Sequence, residues 1–441
     1  MSNLDAAHLV AKRLAAAGFR ALFAGGAVRD LAMGEEPHDV DVATDAVPDE
    51  VMALFEKTVP VGAQFGVVLV LPDGLTPVEV ATFRTDGGYS DHRRPDTITY
   101  ASDREDALRR DLTINGLFQD PLTGQIIDYV GGLDDIERGV IRAIGDPEAR
   151  FGEDRLRLLR AVRFAARYHF RIDGATYAAL RRHASSLVTV SGERVRDELT
   201  RMLTEGDAAT AIELLDACGL LAVVLPEVKA LQGVAQPLEY HPEGDVWEHT
   251  LLLLQMLEKP TLTLAWGALL HDIGKPPTQE FAPDRIRFNN HPAVGAAMSE
   301  RLLRRLKFPG DALERIEALV RDHLKFTEVR RMRQSTLLRF LRGPNFDEYL
   351  ALHRIDCLAS HGKLDLWHFC RDKLAAIPPE VLKPPPLLSG HDLIAEGYAP
   401  GPLFKEILAS VEDAQLEGLI ASREQAMAFV REGFPPGGAA T

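Results

Sequence analysis

The chain is poor in cysteine and has no long apolar run, and each shortage excludes a class of protein. Its 441 residues include three cysteines, Cys218, Cys357 and Cys370, which are odd in number and too few for a disulfide framework. Because unpaired thiols are typical of reducing compartments, we expect a cytoplasmic protein. No apolar run approaches the ~18–20 residues that a membrane-spanning helix needs. The start, Met1-Ser2-Asn3-Leu4-Asp5, lacks the basic and apolar segments of a secretory signal, so we expect none.

Acidic residues outnumber basic residues, but the basic residues are unevenly distributed. The 50 Lys and Arg against 65 Asp and Glu give a net charge of -15, which by itself argues against a nucleic-acid partner. Residues 141–201 nevertheless contain 13 Arg and no Lys against 8 acidic residues, and residues 300–342 contain 12 basic against 6 acidic residues. Arginine suits bidentate contacts with phosphates and bases, so the first block favours nucleic-acid contact. Solvated charged helix faces are the alternative interpretation.

The apolar pattern predicts an α+β fold. Hydrophobic residues make up 46% of the chain, enough for several buried cores, and at ~150 residues per domain the length suggests about three domains. A helix is predicted over 4–17, and strands are predicted over 21–24, 40–42, 67–71, 78–81 and 126–129. From residue 141 the apolar spacing is helical almost throughout, as at 155–166 and 208–221. Proline-rich breaks follow near 226–237 and 378–386.

A glycine turn and a pair of aspartates form the first candidate site. Gly25-Gly26 stands between a predicted strand and a predicted helix, where backbone N–H groups can approach a phosphate, and Arg29 would add a guanidinium. Asp39 and Asp41 share a face of a strand, and adjacent carboxylates repel each other unless a cation lies between them. Such hard oxygen ligands suit Mg²⁺, and Glu79 on a later strand is a candidate third ligand. The alternatives are a glycine turn required by packing alone, an exposed acidic edge strand and a solvent-facing Glu79.

Four motifs follow one another along the first half of the chain. They are Gly25-Gly26-Ala27-Val28-Arg29-Asp30, Asp39-Val40-Asp41-Val42-Ala43-Thr44-Asp45, Arg109-Arg110-Asp111-Leu112-Thr113-Ile114-Asn115 and Glu153-Asp154-Arg155-Leu156-Arg157-Leu158-Leu159-Arg160. In this order they resemble the motifs of the bacterial (class II) tRNA CCA-adding nucleotidyltransferases and the related bacterial poly(A) polymerases. The resemblance covers residues 18–230 densely and the remainder more loosely.

This resemblance implies a role for the first two motifs. Asp39 and Asp41 would bind two Mg²⁺ ions, one that activates the 3′-hydroxyl of the RNA and one that steadies the leaving pyrophosphate. The Gly25-Gly26 turn and Arg29 would hold the triphosphate. The implied reaction is therefore transfer of a nucleotide to an RNA 3′ end.

The resemblance also implies roles for the later two motifs. Arg110-Asp111 would contact the sugar of the incoming nucleotide. Asp154 and Arg157 would present an acceptor–donor edge to C and A, as a protein template. Arg160 and Arg163 lie on the same side of the helix as Arg157 and are candidates for the triphosphate. Spacing alone equally fits an ordinary helix with an acidic start and a basic end.

The stretch Thr85 to Thr99 resembles the flexible loop that these enzymes carry between the carboxylate strand and the Arg-Arg-Asp motif. Its glycines and Pro95 favour a mobile loop. In the family this loop is associated with addition of the final A, and enzymes that add only C and C lack it. Its presence therefore argues against a CC-only enzyme.

The second candidate site is a group of histidines in a helical context. Nine of the 14 histidines fall between residues 241 and 391. A single histidine there has a buried structural role as its alternative, but the adjacent pair His271-Asp272 has histidines on both sides. Imidazole and carboxylate ligands together suit Mn, Fe, Ni, Zn or Mg.

The order His249, His271-Asp272, His291, His323 and Asp356 resembles the HD phosphohydrolase superfamily. Many CCA-adding enzymes carry such a domain. The resemblance implies that His249, His271, Asp272 and Asp356 are primary ligands and that His291 and His323 extend the site toward two metals. The implied activity is hydrolysis of phosphomonoesters or 2′,3′-cyclic phosphates with a divalent metal such as Mn, Ni, Fe or Mg.

Together these patterns predict four domains and one main activity. The domains are a nucleotidyltransferase head with a small mixed sheet (1–140), a helical nucleotide- and RNA-binding neck (141–235), an HD-type helical domain (236–377) and a helical tail (378–441). The predicted activity is addition of C, C and A to the 3′ end of tRNA from CTP and ATP. The alternatives are an A-adding enzyme or poly(A) polymerase, and an HD metallophosphohydrolase whose head only binds nucleotide.

Overall fold

The computed structural model describes residues 3–89, 92 and 95–435, and the chain divides into two compact units. The first contains the described residues up to Lys229 together with Leu302–Phe308, and the second contains Ala230–Arg301 and the described residues from Pro309 onward. The four predicted domains stay a prediction, because the two units do not test the boundaries within them. Over the described ranges no helix has both the length and the apolarity to cross a membrane.

A seven-stranded mixed sheet forms the centre of the amino-terminal region. Its strands, in spatial order, are Thr58–Gly62, Val67–Val70, Val78–Thr82, Asp41–Thr44, Ala21–Ala24, Leu117–Gln119 and Ile126–Asp128. Only Val78–Thr82 and Asp41–Thr44 run parallel to each other, with Val42 opposite Val80, and every other neighbouring pair is antiparallel. Buried valines of these strands share one core with the apolar face of helix Asn3–Ala16. The predicted small mixed sheet is thus confirmed.

Short helices and turns surround this sheet and position the first site. The helices are Gly26–Ala32, Pro48–Leu54, Asp103–Leu108 and Gly132–Glu137, and 3-10 turns span Ala63–Phe65 and Thr113–Asn115. Helix Asp103–Leu108 begins at a capping box, in which the side chains of Ser102 and Glu105 bond each other's backbone N–H groups. This cap fixes the start of the helix that leads into the Arg-Arg-Asp motif.

Helices dominate the rest of the first unit, as the sequence predicts. They are Pro147–Glu153, Arg157–Tyr168, Gly174–His183, Gly192–Thr204, Ala208–Ala217, Leu221–Val224 and Pro226–Lys229, with a 3-10 segment at Ala184–Thr189 and a paired bridge of strands Val140–Ile141 and Arg171–Ile172. The helix predicted over 155–166 begins at Arg157, because Asp154 is extended (φ -134°, ψ 109°). The helix predicted over 208–221 ends at Ala217, because Gly219 turns the chain at φ +75°.

The second unit is helical apart from one hairpin. The helices that lie or begin in it are Val246–Gln255, Leu262–Leu270, Lys275–Thr278, His291–Arg305, Gly310–Asp322, Gln334–Leu341, Phe346–Ala359, Asp365–Ala376, Pro379–Leu382, Gly390–Ala395, Pro402–Leu416 and Arg423–Gly433, with a 3-10 segment at His323–Glu328. The hairpin pairs Gln279–Phe281 with Ile286–Phe288 and was not predicted. A separate core with Leu393, Ile407 and Val430 holds the carboxy-terminal helices together.

The predicted loop from Thr85 to Thr99 is partly a β-hairpin. Strands Arg84–Gly87 and Thr97–Tyr100 pair antiparallel, so both ends of the stretch are regular structure. The residues at 97–99 are β-branched and favour an extended backbone, so their composition already indicated a strand that the loop prediction did not include. Its Ser90, Asp91, Arg93 and Arg94 lie outside the described residues.

Candidate functional site

Gly25 and Arg110 form one side of the first site. Gly25 has φ +65°, a left-handed conformation that favours glycine, where strand Ala21–Ala24 meets helix Gly26–Ala32. A Cβ on Gly25 would lie 2.8 Å from Arg110 Nη1, so the guanidinium lies directly against the turn. Nε and Nη2 of Arg110 donate to Oδ2 of Asp106 at 3.1 and 2.9 Å. The structure therefore brings the predicted phosphate cradle and the Arg-Arg-Asp motif together.

Arg29 lies beside the same turn but is committed to protein partners. Its Nη2 lies 3.6 Å from the position of a Cβ on Gly26, and the residue is 5% exposed. Nε and Nη2 donate to Asp30 Oδ1 at 2.9 and 2.6 Å, and Nη1 donates to Asn115 Oδ1 at 2.6 Å. The guanidinium also lies 4.9 Å from the ring centre of Phe164. Arg29 thus connects the glycine turn to the helix that carries Phe164. Its contact with a triphosphate stays a prediction.

Three exposed carboxylates lie at one end of the sheet. Asp41 opens its strand, Asp39 precedes it, and parallel pairing with the neighbouring strand places Glu79 beside Asp41. Although Asp41 keeps an exposed face, the protein around it displaces part of its hydration water. This loss and the charge of Glu79 raise the pKa of Asp41 to about 6, while Arg110 opposes the shift and Asp39 adds to it. Among the described residues of this region, no three ligand atoms meet within 4.8 Å. This open, mutually repelling set fits Mg²⁺, which keeps waters and binds substrate phosphates as well as carboxylates.

Asp111 and Arg160 tie the Arg-Arg-Asp motif to helix Arg157–Tyr168. Arg160 Nε donates to Asp111 Oδ2 at 2.6 Å. Burial opposes ionisation of Asp111, but the charge and hydrogen bond of Arg160 outweigh it and hold the pKa of Asp111 below its usual range. Arg163 is buried further along the helix and donates through Nε to Glu198 Oε2 at 2.6 Å. Both arginines that were candidates for the triphosphate are therefore paired with carboxylates.

Asp154 and Arg157, the predicted base-contacting pair, lie at the start of the same helix. Nη1 and Nη2 of Arg194 donate to the two oxygens of Asp154 at 3.1 and 2.7 Å. Arg157 donates to the Glu153 carboxylate and, at 3.3 Å, to the carbonyl of Arg109. The orientation of both side chains is thus set by protein partners. Their contact with a nucleotide base stays a prediction.

The second site gathers histidines around Asp272. His249, His271 and Asp272 form one group whose ligand atoms lie within 4.8 Å of one another, and Asp272, His291 and His323 form another. His271 Nε2 lies 3.1 Å from Asp272 Oδ2, and His291 Nε2 lies 3.4 Å from Asp272 Oδ1. Asp272 therefore turns one oxygen toward each pair of histidines, as a carboxylate that bridges two ions would. All five residues are buried.

Asp356 brings the last predicted ligand to this site. Its Oδ1 lies 3.1 Å from His249 Nε2, and although burial opposes ionisation, His249 holds the pKa of Asp356 below its usual range. Burial also lowers the pKa of His249, but its contacts with Asp356 and Glu243 outweigh burial and raise it to about 9. Burial and the charge of His271 lower the pKa of His323 to about 4. Converging imidazoles and carboxylates of this kind are a donor set that fits a divalent metal.

Local packing holds the His-Asp pair in place. Lys275 Nζ lies 2.7 Å from Asp272 Oδ2 and donates to Gln236 Oε1 at 2.5 Å. A Cβ on Gly274 would lie 2.1 Å from the carbonyl oxygen of His291, so only glycine allows the two backbone segments to approach this closely. The ligands from both segments are thereby brought to one centre.

Sequence reasoning missed two buried acidic residues. Asp106 bonds both Arg109 and Arg110, at 2.6 and 2.9 Å, and Glu243 lies 2.8 Å from His249 Nδ1. The helical spacing from Asp106 to the two arginines was a usable signal. Nothing in the pattern indicated Glu243 beyond its place shortly before His249.

Three family models match the chain in the order of these features. The Poly A polymerase head domain matches residues 21–142, and the model described as the probable RNA and SrmB-binding site of polymerase A matches 169–232. The HD domain matches residues 245–345. The matches therefore cover the first site, part of the helical region that follows it, and most of the second site.

Named relatives share most or part of the sequence. A multifunctional CCA protein of Pseudomonas paraeruginosa is 36% identical over 357 residues, which are 77% of this chain and 84% of that protein. A CCA-adding enzyme of Bacillus pumilus is 42% identical over 260 residues, 58% of this chain and 60% of that protein. A CCA-adding enzyme of Geobacillus thermodenitrificans is 48% identical over 204 residues, 46% of this chain. The chain thus spans only about 60% and 50% of the length of the latter two relatives.

Solved structures share the fold over nearly the whole chain. The crystal structure of the Bacillus stearothermophilus CCA-adding enzyme in complex with CTP matches with a TM-score of 0.75 and 29% identity, covering 98% of this chain and 99% of that one. The Thermotoga maritima CCA-adding enzyme complexed with tRNA matches with a TM-score of 0.59 at 20% identity and shows the fold alone. Since the relationship to the Pseudomonas protein extends over most of both chains, this chain belongs to the family of bacterial class II CCA-adding nucleotidyltransferases that carry an HD domain.

Proposed function

We propose that this protein adds C, C and A to the 3′ end of tRNA from CTP and ATP. The observation that carries the proposal is the position of Arg110, which lies against the Gly25 turn and acts on the charge of Asp41. One small region thus combines a glycine turn, a fixed cation and the carboxylates of Asp39, Asp41 and Glu79. The names of the relatives, and the CTP in the Bacillus stearothermophilus structure, support the choice of substrates.

Different residues of this site would have different roles in nucleotidyl transfer. Mg²⁺ held by Asp39 and Asp41 would activate the RNA 3′-hydroxyl and stabilise the pyrophosphate. The Gly25-Gly26 turn offers backbone N–H groups to the phosphates, because glycine leaves the backbone open. Arg110 adds positive charge, and its two bonds to Asp106 fix its orientation before substrate binds. A fixed charge of this kind needs no reorganisation during the reaction.

Selection of C and A is assigned to Asp154 and Arg157. Arg194 and Glu153 hold these side chains, so the acceptor and the donor stay at a set spacing. The RNA would lie on the helical region that follows, where Arg171 is one of several exposed arginines. We propose tRNA as the partner and the cytoplasm as the location, and the three unpaired cysteines support the latter.

A second activity is proposed for the HD domain, and the bridging position of Asp272 between two histidine pairs favours it. With a divalent metal such as Mn, Ni, Fe or Mg bound, this site would hydrolyse phosphomonoesters or 2′,3′-cyclic phosphates. His271→Ala should remove metal-dependent phosphatase activity and leave nucleotide addition intact. His391→Ala, at an exposed histidine outside the site, is the control and should change neither. A wild-type protein that hydrolyses neither class of phosphate with any of these metals would refute the second activity.

Defined tRNA ends test the main proposal against its alternatives. The protein is incubated with tRNA that ends at the discriminator base, after one C or after two, with labelled CTP or ATP and Mg²⁺. Incorporation of CTP on the first two ends and of ATP on the third supports CCA addition. ATP incorporation restricted to the CC end would instead identify an A-adding enzyme, and unlimited ATP incorporation a poly(A) polymerase.

A further inference from the structure

The four histidines of the HD site differ in what their Nδ1 atoms contact. In His271, His291 and His323, Nδ1 lies 2.8, 3.0 and 2.7 Å from the carbonyl oxygen three residues earlier in the chain. In His249, Nδ1 instead lies 2.8 Å from Oε1 of Glu243. One imidazole of the four therefore faces a carboxylate where the others face neutral carbonyl groups.

The helix around His249 explains this exception. The carbonyl three residues earlier belongs to Val246, and it accepts a hydrogen bond of 2.8 Å from the side chain of Thr250. Glu243 lies just before this helix, Val246–Gln255, and its carboxylate takes the place that a carbonyl fills at the other histidines. The sequence thus provides a dedicated partner for this one ring nitrogen.

Burial makes the contact between Glu243 and His249 consequential. The side chain of Glu243 is 6% exposed and that of His249 is 0% exposed. Glu243 Oε1 is hydrogen-bonded to Nδ1 of His241 at 2.9 Å, and its approach to His249 Nδ1 is a short charge contact outside hydrogen-bond geometry. Neither His249 Nδ1 nor Glu243 Oε2 has a hydrogen-bond partner in the part of the chain that the structure describes. A buried carboxylate destabilises the folded protein unless hydrogen bonds or positive charge offset the loss of its hydration. A buried Glu243 beside the predicted metal ligand His249 therefore indicates a role at the metal site.

We propose that Glu243 is a positioning residue of the HD site, which makes its two halves unequal. Its negative charge, 2.8 Å from Nδ1 of His249, favours the ring orientation in which Nε2 faces Asp356, 3.1 Å away. A carboxylate behind a ligating histidine raises the basicity of that ligand. The half with His249, His271 and Asp356 therefore binds a divalent ion more tightly than the half with His291 and His323. This inference rests on the proposed metal site of the HD domain.

Metal titration of the full-length protein tests the proposal. The full-length protein is stripped with a chelator and titrated with MnCl₂ in a calorimeter, as wild type at position 243 and as Glu243→Ala and Glu243→Gln. Every sample also carries Asp39→Asn and Asp41→Asn, so that the head carboxylates do not contribute to the metal count. We expect two ions to bind to the wild type in unequal steps. Glu243→Ala should weaken the tighter step by roughly 10–100-fold and leave the weaker step unchanged. Glu243→Gln keeps the shape and an acceptor oxygen but not the charge, so it should recover only part of the loss, whereas a purely structural role would predict full recovery.

A matched control separates positioning from the general loss of a buried carboxylate. Glu348 is 8% exposed, lies on the same helix as Asp356, and accepts hydrogen bonds from Thr261, Thr263 and Arg315 rather than from a predicted metal ligand. Glu348→Gln should leave both binding steps unchanged, and the unfolding temperature of each variant reports whether it is folded.

Three outcomes would overturn the proposal, and they differ from one another. Equal affinities in wild type and Glu243→Ala would show that Glu243 does not position His249. Three ions in the wild type and two in Glu243→Ala would make His241, Glu243 and His249 a separate metal site, since their ligand atoms also lie within 4.8 Å. A wild type that binds no Mn²⁺ would refute the HD metal site itself and leave the nucleotide-adding function of the head untouched.

Discussion

Arg110 lies so close to Gly25 that Nη1 would be only 2.8 Å from a Cβ added to the glycine. The backbone of Gly25, which has positive φ, and the guanidinium of Arg110 therefore lie directly against each other at the end of the sheet. Any side chain at position 25 must displace Arg110, which Asp106 holds through two hydrogen bonds. This contact joins the glycine turn to the Arg-Arg-Asp motif, two features that lie far apart in the sequence.

Gly25→Ala should therefore abolish most nucleotide addition. A methyl group would move the guanidinium, and a misplacement of about 1 Å at a reacting centre can cost ~10²-fold in rate. Gly124→Ala is the control, because Gly124 also has positive φ (+73°) but nothing within 4 Å of its Cβ position. Positive φ strains an alanine at both positions, so the unfolding temperature of each variant is measured to show that it stays folded. Equal CTP incorporation by the two variants would contradict this account.

Asp41→Asn should abolish nucleotide addition and change the pH dependence of stability. The pKa of Asp41 is raised from 3.8 to about 6, so in metal-free protein its stabilising contribution is full below about pH 4 and is lost as the pH rises through about 6. Urea unfolding in a chelator should show the wild type losing stability relative to Asp41→Asn over this window. Asp73→Asn is the control of opposite sign, since Lys57 lowers the pKa of Asp73. If the stability of wild type and Asp41→Asn does not diverge over this pH range, the pKa of Asp41 is not raised and this account of the site is wrong.

Breaking the pair of Arg163 and Glu198 should destabilise the first unit. Both side chains are nearly buried, at 5% and 7% exposure, and removing one partner of a buried pair costs about 3–5 kcal/mol. We expect Arg163→Met and Glu198→Gln to lower the free energy of unfolding alike, with little change in the KM for CTP in the fraction that stays folded. A raised KM in Arg163→Met alone, without loss of stability, would instead support the triphosphate contact that the sequence predicts.

Affinity for tRNA should fall with salt although the chain is acidic. Arg181 is exposed, whereas Arg163 and Arg194 of the same block are paired with carboxylates. Counterion release depends on the arginines that reach phosphate, so Arg181→Gln should reduce the slope of log affinity against log salt by about one. Arg371→Gln, at an arginine paired with Asp372 outside the block, should leave the slope unchanged. A flat salt dependence in the wild type would show that the block consists of solvated helix faces.

Most of the sheet follows from local pattern. Alternating and apolar runs predicted five of its seven strands, because a period of two residues sets which side chains face the core, and missed Thr58–Gly62 and Leu117–Gln119. The helical apolar spacing after residue 141 predicted the helices. The predicted bounds are wrong at helix ends, where single residues such as the extended Asp154 and the left-handed Gly219 interrupt the helix. The adjacent pair His271-Asp272 indicated a site, and the resemblance to the HD superfamily implied its partners, which the fold does bring together.

Pairings between distant residues could not be predicted in this way. The bidentate contact of Arg194 with Asp154, and the contact of Arg110 with Gly25, depend on how helices and turns pack, which periodicity does not encode. The arginine-rich block illustrates the consequence, because the sequence shows its charge but not that several of its arginines are neutralised by buried acids. The contact of Glu243 with His249 belongs to the same class, because it depends on how the segment before helix Val246–Gln255 folds back on that helix.

The length of the product made from tRNA without its terminal triplet tests the central claim most directly. The wild-type protein is given this tRNA with CTP, ATP and Mg²⁺ together, and the product is resolved at single-nucleotide resolution with Asp41→Asn in parallel. The account predicts a product longer by three nucleotides, ending in C, C and A, and no extension by Asp41→Asn. Extension by a single A, extension without limit, or extension by Asp41→Asn equal to the wild type would contradict it.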